Sequence, residues 1–83
     1  MIRLLFFARV RERMGQGRME LPLPPDVATV AALLTHLRGL GEPFAAALAG
    51  DHLQVAVNQV HARAADPVGD GDEIAIFPPV SGG

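Results

Sequence analysis

Val30, Leu33, Leu34 and Leu37 recur at i, i+3, i+4 and i+7, which puts all four on one stripe of a helix. Thr29 is placed to cap its start, and Gly39 and Gly41 to end it. Burying four such side chains is worth about 6 to 12 kcal/mol as an upper estimate, so the stripe belongs against other apolar structure. The segments on either side alternate in the manner of strands, and a sheet is the partner such a helix needs. One main amphipathic helix between strand-forming runs points to the α+β class.

The first of those runs is Ile2 to Arg9, with Ile2, Leu4, Phe6 and Ala8 on one face and Arg3, Leu5, Phe7 and Arg9 on the other. Large apolar groups on both faces predict a strand central in its sheet, or one with a face reserved for a partner. A connection starting near Val10, punctuated by Gly15 and Gly17, leads to a second strand, Arg18 to Leu23, which Pro22 confines to an edge. Pro24 and Pro25 break it, and a right-handed crossover leads into the helix. Beyond the helix, Pro43 opens a shorter one whose Phe44, Ala47 and Leu48 face one way, closed by Gly50 and Asp51. Leu53 to Asn58 is a third strand with Leu53, Val55 and Val57 inward, and a short strand spans Val60 to Arg63. The turn cluster Gly69 to Asp72 launches the last strand, Glu73 to Phe77, with Ile74 and Ile76 inward and Ala75 and Phe77 outward.

Composition removes most chemistry from consideration. A chain of 83 residues is one domain with one modest core, burying only about 60% of its unfolded surface. It has no cysteine, which rules out disulfides, thiolate nucleophiles and cysteine-held metals. All seven basic residues are arginines, so Schiff-base chemistry and side-chain isopeptide polymers are excluded as well. A net charge of −2 without a single-sign block leaves no nucleic-acid footprint. The apolar run Leu4 to Ala8 is too short for a signal core or a membrane span, so the expected location is the cytoplasm. Gly15-Gln16-Gly17 lacks the third glycine and apolar helix of a phosphate loop, and Asp70-Gly71-Asp72 is too short for a calcium loop; both read as turns. His36, His52 and His61 share no ligand spacing, and no metal is expected.

What stands out is the end: Phe77, Pro78, Pro79, Val80, Ser81, Gly82 and Gly83. Proline fixes φ and donates no amide hydrogen, so pairing should stop at Phe77 and residues 78–83 should project as a tail from a body spanning 1–77. Extended at roughly 3.3 Å per residue, that tail reaches about 20 Å, enough to enter another protein's channel. Gly82 and Gly83 carry no Cβ, so they fit a narrow slot and leave the terminal carboxylate open to attack. If the first and last strands are neighbours, Leu5 and Phe7 lie beside Ala75 and Phe77 on the face away from the helix, an apolar patch at the tail's base.

The order of elements and the Gly-Gly end resemble the ubiquitin-like β-grasp fold, a mixed sheet of four to five strands on one main helix with a flexible C-terminal tail. Along the whole chain, Ile2 to Glu12, Ala56-Val57-Asn58-Gln59, Asp70-Gly71-Asp72-Glu73 and Phe77 to Gly83 are similar to the small, sulfur-carrying subunits of molybdopterin synthase. Ser81 stands where threonine is as readily expected. The resemblance implies parallel first and last strands at the sheet centre and a chain that is not an enzyme by itself. A carboxylate with a reference pKa of about 3.3 to 3.7 is a poor electrophile and must first become a mixed anhydride. The resemblance assigns that step to a separate ubiquitin-activating-like enzyme, which uses ATP to adenylate Gly83; sulfur from a persulfide donor then gives a thiocarboxylate. The large subunit, in a heterotetrameric synthase, takes in the tail and uses its sulfur on a cyclic pyranopterin phosphate. Gly83 and Gly82 then carry the chemistry, and Leu5, Phe7, Ala75, Phe77, Pro78, Pro79, Val80 and Ser81 the docking. The residues leave open a carrier for thiamine synthesis or tRNA thiolation, a ubiquitin-like protein modifier, and an interaction domain with an inert tail.

Overall fold

Alternation along each strand decides which side of the sheet a residue serves. In β1 (Ile2–Phe6), Ile2, Leu4 and Phe6 are buried while Arg3 is exposed and Leu5 half-buried. In β5 (Glu73–Phe77), Ile74 and Ile76 are fully buried between half-buried neighbours, as their parity predicts. The computed structural model describes residues 1–50 and 52–79 of the chain. With β2 (Arg18–Leu21), β3 (Gln54–Val57) and β4 (Val60–Ala62), these strands form one sheet in the order β2-β1-β5-β3-β4. β1 and β5 are parallel and every other pair is antiparallel, the β-grasp arrangement.

The expected main helix is α2 (Val30–Arg38). Val30, Leu33 and Leu37 join Ile2, Leu4, Phe6, Ile74 and Ile76 in a single core, and among the described residues no polar residue is buried. The Thr29 hydroxyl accepts from the Ala32 amide at 3.2 Å, the capping bond expected of it. The amides of Val30 and Ala31 donate to the carbonyls of Asp66 and Ala64 at 3.0 and 2.9 Å, so the loop after β4 satisfies the rest of the helix start. The shorter helix is α3 (Phe44–Ala47), with Phe44, Ala47 and Leu48 in the core. Arg38 ties the two together: its Nε and Nη2 donate to the carbonyls of Leu48 and Gly50 at 2.7 and 2.9 Å.

Two expectations need correction. The first strand does not run to Arg9; it ends at Phe6, and the supposed connection is a further helix, α1 (Ala8–Met14). Val10 and Met14, one turn apart, bury to 0% and 6% exposure under the sheet, and Gly15 closes the helix with a left-handed φ of 78°. Arg9 therefore projects from a helix and has no place on the sheet face. The second strand ends at Leu21, before Pro22, because proline cannot continue the ladder.

Asn58 and Gln59 form the two-residue turn joining β3 to β4, with φ of 51° and 71°, the signs a type I′ hairpin requires. The Asn58 side chain donates to the Asp72 carboxylate at 3.0 Å and accepts from the Glu73 amide at 3.0 Å. Asp72 in turn accepts from the Gly69 amide at 2.7 Å. These motifs, which carried part of the family resemblance, fasten the hairpin to the start of β5.

Candidate functional site

The sheet face away from the helices is organised in rows, because residues in register across neighbouring strands share a face. The middle row runs Arg18, Leu5, Ala75, Ala56 and His61 across all five strands. Two alanines between a leucine and a histidine make its centre shallow. The row toward the start of β5 is charged: Glu20, Arg3 and Glu73, with Arg3 and Glu73 paired at 3.2 Å. The row at the other end sets Phe77 against Gln54, whose Oε1 meets His61 Nε2 at 2.7 Å. Polarity thus falls from a charged margin to an aromatic one, and the chain leaves the sheet at the aromatic margin.

Of the residues singled out in the sequence, Leu5, Ala75 and Phe77 share this face and are half-buried. Leu5 and Ala75 are register partners. Phe7 is 47% exposed and sits just past β1 in extended conformation, so it keeps the parity of Leu5; its amide donates to the Ile76 carbonyl at 3.3 Å. Pro78 is half-buried and Pro79 exposed immediately after β5 ends. Val80, Ser81, Gly82 and Gly83 lie outside the described residues.

Sequence reasoning missed Ala56, Gln54 and His61 as members of the same face. The signal was present: once Val55 and Val57 are assigned inward, the alternate residues of that strand must point outward. These rows offer contact area, apolar around Leu5, Ala75, Ala56 and Phe77 and polar along the Glu20, Arg3 and Glu73 margin, the mix found in protein interfaces. Among the described residues no three histidine, aspartate or glutamate side chains gather in a way that could hold a metal ion. None of the described helices is long and apolar enough to cross a membrane.

Comparison with known proteins fits this geometry. The profile of the ThiS family matches residues 4–83. A molybdopterin synthase sulfur carrier subunit from Escherichia coli (strain K12) is 45% identical over 83 residues, covering 100% of both chains. One from Haemophilus influenzae is 43% identical with the same coverage. Among solved structures, SAMP1 from Haloferax volcanii, a small archaeal modifier protein, superposes with a TM-score of 0.74 at 32% identity, covering 99% of this chain and 98% of its own.

Proposed function

The chain belongs to the ThiS family, and we propose that it serves there as the sulfur carrier subunit of a molybdopterin synthase. One observation carries the reading: relatives bearing that name match this chain from end to end. The tail, residues 78–83, is the reagent and the body its handle. A carboxylate oxygen of Gly83 attacks the α-phosphate of ATP in a separate adenylating enzyme, releasing pyrophosphate. The terminal sulfur of a persulfide donor then attacks the acyl carbon and AMP leaves, giving an acyl disulfide. A thiol attacks the donor's sulfur of that S–S bond, forming a disulfide with the donor and releasing the thiocarboxylate. In the cytoplasm the large subunit admits the tail, with Gly82 leaving the slot narrow, and the sulfur passes to a cyclic pyranopterin phosphate.

The chain itself binds no cofactor in this scheme, since ATP belongs to the activating enzyme and the reaction centre to the large subunit. Its own contribution is position. The outer sheet face docks through Leu5, Phe7, Ala75 and Phe77, and Pro78 and Pro79 stiffen the path into the partner, which lowers the entropy lost on entry. Proximity and charge stabilisation then come from the partner.

The test is removal of Gly83. The truncated chain should fold and dock as before yet transfer no sulfur, because its carboxyl ends one residue short. Sulfur transfer at a near wild-type rate would overturn the terminal-carboxylate scheme.

A second reading is favoured by the likeness to SAMP1: a protein modifier joined through Gly83 to a target amine. Intact mass in the native cell separates the two. An oxygen-to-sulfur exchange supports the carrier, and a ladder of conjugates supports the modifier.

A further inference from the structure

Charge is unevenly distributed along this chain, and the fold gathers the rarer sign into one place. Five of the seven arginines lie within the first 18 residues, so Arg38 and Arg63 face eight of the nine acidic residues in the remainder. Both line one groove of about 420 Å³ between α2 and the β3–β4 edge. Leu34, Leu53 and Ala62 give it an apolar floor beside the polar Thr35, Gln54 and His61, and no acidic residue is among the described residues that line it.

Arg38 is held in place by the Leu48 and Gly50 carbonyls, so its guanidinium is positioned before anything binds. Arg63 is exposed, and the nearby Asp66 carboxylate accepts from its backbone amide at 2.8 Å. The ion pairs found among the described residues involve the Met1 amino group and Arg3, not these two arginines. Along the same groove, β4 is the edge of the sheet and its outer side pairs with no strand among the described residues.

We propose that this groove docks an extended segment of a partner protein in which acidic and apolar side chains alternate. The segment lies along β4, sets its carboxylates on Arg38 and Arg63, and lays its apolar side chains on the half-buried Leu34 and Leu53. A period of two sends alternate side chains to opposite sides, which suits an apolar floor bounded by a cationic rim. Arg63 can grip a carboxylate with two parallel hydrogen bonds, while Arg38, whose Nε and Nη2 already donate to carbonyls, offers its remaining guanidinium donors. Gln54 and His61 border both the groove and the outer face, while Leu5, Ala75 and Phe77 lie outside the groove, so it can be filled while those three dock elsewhere. The proposal does not depend on sulfur chemistry.

The test is a titration of the ¹⁵N-labelled full chain with a blocked hexapeptide alternating aspartate and leucine, followed by amide shifts. Shifts should concentrate in residues 30–38 and 53–64. Arg63→Gln should weaken binding about tenfold with no change in melting temperature, as should asparagine in place of the peptide's aspartates. Any of four results overturns the proposal: no shifts at millimolar peptide, shifts centred on Leu5, Ala75 and Phe77, equal binding of the neutral peptide, or the same shifts from free aspartate. Shifts that grow with protein concentration in the absence of peptide also overturn it, since a second copy would then be the occupant.

Discussion

The two faces of β1 and β5 are cut from alternate residues of the same two strands, yet they serve different ends. Ile2, Leu4, Phe6, Ile74 and Ile76 are each no more than 1% exposed beneath the helices. Leu5, Ala75 and Phe77, one position away, stay half-open on the other side, with Phe7 beyond them. Hydrophobicity does not distinguish the two sets, since both contain phenylalanine and branched aliphatics. Parity does. A single step along the backbone separates a residue that holds the body together from one left open on the outer face.

The deepest cut into that division is Leu4→Ala. It should cost about 2 to 5 kcal/mol of stability, a large part of the 5 to 15 kcal/mol typical of a whole domain, while the folded molecules bind the large subunit normally. Denaturant unfolding beside a binding isotherm measures both, and unchanged stability would erase the distinction between the faces. Phe7→Ala should do the reverse, weakening association with the large subunit by about 1 to 3 kcal/mol and leaving the melting temperature nearly unchanged. A steep fall in melting temperature would move Phe7 into the core. Leu5→Ala sharpens the comparison at its boundary: half-buried, it should lose roughly 1 kcal/mol in stability and less than Phe7→Ala in affinity. If its affinity loss exceeds that of Phe7→Ala, the centre of the interface lies in the row of alanines rather than at the aromatic margin.

Much of this was readable from residue types alone. The inward sets of the first, third and last strands, the Thr29 cap and the Phe44, Ala47 and Leu48 cluster follow from period and capping chemistry, and each is found in place except Ala8, which is exposed at the start of α1. The helix α1 was not. It follows an apolar run that continues the strand pattern, has only Val10 and Met14 as buried residues, and starts from Phe7, which gives no side-chain cap. Its first residue, Ala8, has φ of 53°, a conformation that propensity disfavours by about 1 to 2 kcal/mol and that tertiary packing must offset. The readable clue lay at its other end, where Arg11 and Arg13 precede Gly15 in the manner of a helix terminus. The patch at the base of the tail was half-legible: parity supplied Leu5, Ala75 and Phe77, while His61 joined it only through the pairing of β4. The groove was beyond reach, because nothing local links Arg38 to Arg63 before the sheet brings them together.

The position of β5 bears on how the molecule is made. It lies between β1 and β3, so without it the sheet falls into two separate antiparallel pairs, β1 with β2 and β3 with β4. Its pairing with β1 joins residues 70 positions apart, as in the contact of Arg3 with Glu73. Such distant closure is slow compared with the formation of local structure. A nascent chain emerging from the ribosome therefore cannot assemble the outer face until Glu73 to Phe77 have cleared the exit tunnel, since Ala75 and Phe77 are part of it. Synthesis itself acts as a checkpoint: a molecule cut short before β5 never displays the joined outer face of the sheet.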